Sequence, residues 1–196
     1  MADVTINQLT AGTPNKNSAI IPYSDGSTTY KTSPSGIVAA SPGCILQVKQ
    51  SIKTDLFTSA TKGSWVTLPG LQVNITPSGL TNKILITAEI QASDENNYPP
   101  LMSISRNNSI VTPSGTIAGS TYAGYASFAG GVAGGAGSFQ RVTFSYLDSP
   151  NTTNSCTYEV KLLKPTQAVT NIVINSIGSS VTYSTCSTIT CMEIAG

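Results

Sequence analysis

The chain has 196 residues, 39% of them hydrophobic and only 10% charged, with 10 Lys and Arg against 9 Asp and Glu and no histidine. A net charge of +1 from scattered basic residues gives no concentrated basic face, the usual means of holding DNA, RNA or anionic lipid. Without histidine, Ser/His/Asp, Cys/His and His-metal chemistry are excluded together, and any catalysis would rest on carboxylates alone.

From the N-terminus, residues 1–40 read as an extended arm. Short apolar clusters that include Leu9, Ile20, Ile21, Tyr23 and Tyr30 alternate with Pro14, Pro22 and Pro34-Ser35-Gly36. Asp25-Gly26 is placed to turn a small hairpin. So few core positions cannot bury much of their own surface, so by composition the segment reads either as a disordered tail or as an arm held by a neighbouring chain, and the arm is the expectation carried forward. Residues 1–16 are polar, with no apolar stretch of a secretory signal, and no run approaches the ~18 apolar residues of a membrane span. The expectation is a protein folded in a cytoplasm, with no membrane insertion.

After Ser41-Pro42-Gly43 the pattern changes, setting domain boundaries of 1–42 and 43–196. Apolar runs recur at 44–49, 65–68, 71–75, 84–90, 101–105, 109–112, 121–128, 139–146, 157–163, 169–174 and 181–194, and several alternate with period two. Turn chemistry separates them: Pro69-Gly70, Thr76-Pro77-Ser78-Gly79, Asn107-Asn108 and Ser149-Pro150-Asn151. With 26 Ser, 26 Thr and 13 Asn, a third of the chain is small and polar, a composition that suits pleated surfaces and not helix interiors. No 3.6-residue period persists. The fold class expected is all-β, an antiparallel β-sandwich or jelly-roll-like domain preceded by the extended arm.

Cys44, Cys156, Cys186 and Cys191 lack both CxxC spacing and a histidine partner, so they read as small buried hydrophobes and not as zinc ligands. Cys186 and Cys191, an odd number apart, should not pair with each other. A bridge from Cys44 to Cys156 or Cys186 stays open. No cofactor or metal is expected. The lysines of segments 44–49 and 159–164 read as solvent-facing charges that discourage sheet-edge aggregation.

Two pieces carry a resemblance. The arm motif Asn7-Gln8-Leu9-Thr10-Ala11-Gly12-Thr13-Pro14, with Ile21-Pro22-Tyr23-Ser24-Asp25-Gly26, resembles the N-terminal attachment segment of tailed-phage fibre proteins. In the main domain, residues 45–49, 66–76 and 83–89, Ile104-Ser105-Arg106-Asn107-Asn108-Ser109-Ile110, Tyr146-Leu147-Asp148-Ser149-Pro150 and Thr188-Ile189-Thr190-Cys191-Met192-Glu193-Ile194 resemble the terminal β-domain of phage tail-fibre or virion structural proteins. The likeness is to phages of cyanobacteria or other aquatic bacteria. It implies a virion component, usually a homotrimer, that docks by its arm and projects a β-sandwich knob from the particle. It departs from a long fibre in having only residues 39–43 where a shaft would lie.

Glycan hydrolysis needs two carboxylates at a set separation, and Asp94-Glu95, the only adjacent acids, read as solvated turn residues. The chain is therefore expected not to be an enzyme, with a carboxylate-only depolymerase or free lectin as the remote rival. Sugar recognition combines aromatic platforms with amide donors, which the loops supply at Tyr98, at Arg106 with Asn107, and at Tyr122 with Tyr125. Trp65 reads as a core or interface anchor. The expected function is a short trimeric tail-fibre subunit, anchored to other virion proteins by residues 1–42 and attaching to host surface polysaccharide through its knob. The alternative is a capsid decoration, neck or collar protein with a purely structural role.

Overall fold

A computed structural model of the chain describes residues 21–24, 29–32, 42–93, 100–115, 123–127, 139–167, 171–176 and 184–196. The chain divides into two units, residues 1–44 and 45–196. In the first, β1 (Ile21–Ser24) and β2 (Thr29–Thr32) pair antiparallel with Tyr23 opposite Tyr30, so the hairpin expected around Asp25-Gly26 is present. Leu9 and Ile20 of the arm lie outside the described residues.

The second unit contains β3 (Ile45–Lys53), β4 (Phe57–Ser59), β5 (Trp65–Ile75), β6 (Lys83–Ser93), β7 (Leu101–Arg106) and β8 (Ser109–Ile110). It continues with β9 (Ala126–Ser127), β10 (Phe139–Asp148), β11 (Cys156–Leu163), β12 (Ile172–Ile174) and β13 (Ser187–Ile194). All the ladders are antiparallel. In one sheet β10 lines one edge of β6, and the other edge is shared by β13, against residues 83–89, and β12, against Ala92 and Ser93. Beyond them lie β3 against β13 and β4 against β12. In the other sheet β11 runs between β5 and β7, and the free edge of β7 is shared by β8 and β9.

The interrupted strands therefore act as single rows: β3 with β4, β8 with β9, and β12 with β13. Numbering the eight rows along the chain, the first sheet reads 1-8-3-6 and the second 2-7-4-5. That order, with every row except the fifth paired to one distant in sequence, is the jelly roll. The expected fold class holds.

Period-two alternation places the core. Ile84, Ile86, Ala88 and Ile90 of β6, with Ile189 and Cys191 of β13, face Val73 and Ile75 of β5, Met102 and Ile104 of β7, and Tyr158, Val160 and Leu162 of β11. Burying each large side chain contributes roughly 1.5–3 kcal/mol.

Three local expectations are corrected. Pro69-Gly70 does not separate two strands: it forms a bulge inside β5, where the ladder steps from Glu159 opposite Gln72 to Lys161 opposite Thr67. Proline has no donor to lose where the ladder is already broken, and Gly70 takes φ +79°, so Leu68 and Leu71 are both fully buried. Lys161 is buried because β11 is an inner row and not a sheet edge, and Lys164, just past the end of that strand, is buried as well. Of the cysteines, Cys156 and Cys191 are buried as expected, but Cys186 is exposed and Cys44 half-buried, and all four thiols are free.

Candidate functional site

Tyr98 and Tyr122, with Asp94 and Glu95, lie outside the described residues. Arg106 ends β7 opposite Tyr158, so both side chains enter the space between the sheets. Asp148, the last residue of β10 in the opposite sheet, meets them there. Its Oδ2 accepts from Arg106 Nη1 at 2.5 Å and from the Tyr158 hydroxyl at 2.6 Å. One carboxylate thus pins the two sheets at this end. Burial, reinforced by the neighbouring Asp148, pushes the Tyr158 phenol far above its ordinary value. Burial also works against the Arg106 charge, but Asp148 more than offsets it and the guanidinium is held more firmly protonated.

Asn107 and Asn108, at φ +50° and +67°, turn β7 into β8, the left-handed pair that a two-residue hairpin demands. Asn107 N–H donates to Thr157 O and its Oδ1 accepts from Thr157 N–H, both at 2.9 Å. Asn108 Oδ1 accepts from Lys161 Nζ at 3.2 Å. Both side-chain oxygens are therefore held by β11. Lys161 also lies 3.0 Å from Glu159 Oε2 and donates to Thr67 Oγ1, an ion pair sunk into the outer side of the second sheet.

Tyr125 closes the sandwich between row 5 and row 6. Its N–H donates to Met102 O at 2.8 Å and its hydroxyl to Ser145 O at 2.7 Å, so one residue ties both sheets. The ring meets Phe144 and Tyr146 edge-on, with centroids 6.2 and 5.8 Å away. Gly124 beside it is required, since a Cβ there would stand 2.7 Å from Leu101 Cβ. Arg106 and Tyr125 thus each join the two sheets, while Asn107 is an exposed turn residue whose Oδ1 is held by Thr157.

Sequence reasoning missed Glu193. It faces inward from β13, fully buried, and its carboxylate accepts from Gln47 Nε2 at 2.5 Å, Ser78 N–H at 2.6 Å, Ser78 Oγ at 2.8 Å and Asn82 Nδ2 at 2.6 Å. Burial pushes this carboxyl up, but the bonds from Gln47, Asn82 and Ser78 outweigh it and hold it below the ordinary glutamate range. The available signal was parity: Glu193 shares its face with Ile189 and Cys191. Asn175, at φ +64°, is a second such brace. Its Nδ2 donates to Lys53 O at 2.9 Å and its Oδ1 accepts from Ser187 Oγ at 2.6 Å, joining the halves of the split rows.

Glu193 accepts at both carboxylate oxygens, and Asp148 and Glu159 each accept two donors of this chain at one oxygen, which is the chemistry of bracing. Among the described residues no three His, Cys, Asp or Glu are grouped so as to hold a metal ion. None of the described helices is long and apolar enough to cross a membrane.

The feature left open is a face. Directly paired residues share a side, so Val48, Met192, Leu85 and Leu147 form one unbroken apolar row across the outer side of the first sheet. Ile45 beside Ile194 flanks it, and Ile52 lies further along β3. Ile45, Val48 and Ile52 are each more than half exposed, at 56%, 53% and 55%.

The eight-row jelly roll with this face defines the class: an all-β sandwich of the kind seen in capsid and lectin domains. No family model matches the chain, and no curated protein does. Among solved structures, it is distantly similar to the infectious bursal disease virus VP2 subviral particle, at 11% identity and a TM-score of 0.41. It is also similar to the structure of the Gx strain of that virus, at 12% identity and a TM-score of 0.36. Each match covers 90% of this chain but only 43% of the viral one, so the chain spans less than half the length of either.

Proposed function

We propose that this chain is a virion structural protein, a capsid decoration, neck or collar subunit whose work is to be held by other proteins. The observation that carries the reading is the division of chemistry within the jelly roll. The acids that face the interior or the second sheet are spent on internal bracing, while one sheet turns an apolar row outward. The resemblance of the arm and of the main-domain segments to phage structural proteins supports the same reading, as does a charged fraction that leaves little repulsion between packed subunits. Host attachment is less well supported, because the Arg106 and Tyr125 groups that would read a glycan are engaged in joining the two sheets.

The test is location. Particles should be purified from a lysate that produces the chain, then labelled with antibody against residues 45–196. Label on capsid, neck or collar is the expected result. Recovery of the chain only outside the particle fraction overturns the proposal. Label confined to fibre tips, with purified protein competing for host adsorption, replaces it with the tail-fibre reading.

A further inference from the structure

We infer that the outer face of the first sheet is a docking surface for a second copy of this chain. The argument begins with β3, whose facing runs against its composition. Its pairing with β13 sets Gln47, Lys49 and Ser51 on the side of the buried Glu193, Cys191 and Ile189, and turns Val48 and Ile52 to the outside. A one-residue shift of register would reverse this. The polar set is held inward for a visible reason: Gln47 Nε2 donates to Thr76 O at 2.7 Å and Ser51 Oγ to Gly70 O at 2.9 Å, hooking β3 onto β5. Among the described residues no bond or ladder requires the outward set to be apolar. Threonine or lysine at those positions would serve the strand equally well and keep its face wet.

Two further observations identify the occupant. The first is charge. On the outward side of these rows Glu89 Oε1 and Arg141 Nη2 neutralise each other at 2.7 Å, Lys83 stands alone at one end, and the whole chain carries only +1. A strongly charged partner finds at most the single Lys83 as counter-charge there, whereas a copy of the same face brings no like charges into opposition. A two-fold axis along the Val48–Met192–Leu85–Leu147 row sets that row on itself. It also places each Lys83 over the partner's hydroxyl row of Thr190, Thr87 and Ser145 and not over its twin.

The second is area. Four rows about 4.8 Å apart, with Ile45 to Ile52 rising about 3.3 Å per residue, make a face of roughly 15 by 25 Å. Two such faces together cover about 750 Å², the range of weak, transient association and below that of a permanent interface. The contact is thus a concentration-dependent dimer, suited to reinforcement when many copies are arrayed. The inference does not rest on the virion reading, since the face is a property of the sandwich whatever particle holds it.

The experiment is sedimentation velocity of the 196-residue chain over a hundredfold concentration range, for wild type, Val48→Lys, Leu147→Lys and, as control, Ile110→Lys on β8 of the other sheet. Circular dichroism melting verifies that each variant folds. Wild type should dimerise reversibly, with the association constant lowered at least about tenfold by Val48→Lys and by Leu147→Lys and unchanged by Ile110→Lys. A wild type that stays monomeric throughout overturns the inference. So does an assembly that both row variants leave intact, including one in which they are lost only from particles, which would assign the face to another protein.

Discussion

Replacing Glu193 by glutamine keeps the size of the side chain and removes its charge. Oε1, which accepts from Ser78 N–H, Ser78 Oγ and Asn82 Nδ2, stays an acceptor, but a neutral one. The other oxygen becomes an amide nitrogen that faces the donor of Gln47, so the 2.5 Å bond is lost. Bonds to a charged acceptor contribute about 1.5–3 kcal/mol each and neutral ones about 0.5–1.5. Because Ser78 is exposed and Gln47 only partly covered, solvent screens part of that difference. The expected loss is about 2–3 kcal/mol, or about 4–12 °C in Tm for a domain of this size. Urea unfolding at a series of pH values is the assay. The folded carboxyl is held below its ordinary 4.5, so its stabilisation is complete above that pH. It declines as pH falls, because the unfolded chain takes up the proton first, and it is gone once pH passes below the folded value. The gap between wild type and Glu193→Gln should therefore be full at neutral pH and close in acid. A gap that is the same at pH 7 and at about pH 3, or absent at neutral pH, refutes the reasoning.

The remaining predictions concern other braces. Asp148→Ala leaves Arg106 and Tyr158 without their shared acceptor, and with Arg106 27% exposed the cost is about 2–4 kcal/mol in urea unfolding. Gly124→Ala drives a Cβ to within 2.7 Å of Leu101 Cβ and costs about 1–3 kcal/mol, read as a lowered melting temperature. With an aromatic disulfide reagent, the exposed Cys186 should react at once in the native protein. Cys156 and Cys191 should stay silent until denaturant is added, since burial raises both thiols, that of Cys191 to about 12.

Strand positions were legible because a pleated chain alternates its side chains whatever it packs against. Residues 71–75 and 84–90 declare their inward faces by parity alone, and Asn107-Asn108 declares a left-handed turn. The bulge at Pro69-Gly70 was not legible, since a turn pair ends a strand or kinks it depending on whether the ladder opposite continues. Nor was the burial of Lys161, which follows from β11 lying between β5 and β7. Of the residues proposed for binding, Arg106 and Tyr125 carry the right chemistry for a sugar and equally the right chemistry for joining two sheets.

By itself, the sequence determined the class of the fold. A third of its residues are Ser, Thr or Asn, and its short alternating runs are broken by turn residues, a pattern that an all-β sandwich satisfies and a helical fold does not. Tertiary structure alone decided which charges meet and which apolar residues stay outside. Arg106 and Asp148 are 42 positions apart, and Gln47 and Glu193 146 apart. They pair only because the jelly roll folds row 4 over row 6 and sets row 8 beside row 1. The same row order, with the hooks from β3 to β5, turns Val48 and Ile52 to the outside, a facing that alternation allows in either sense and that only the ladder with β13 selects.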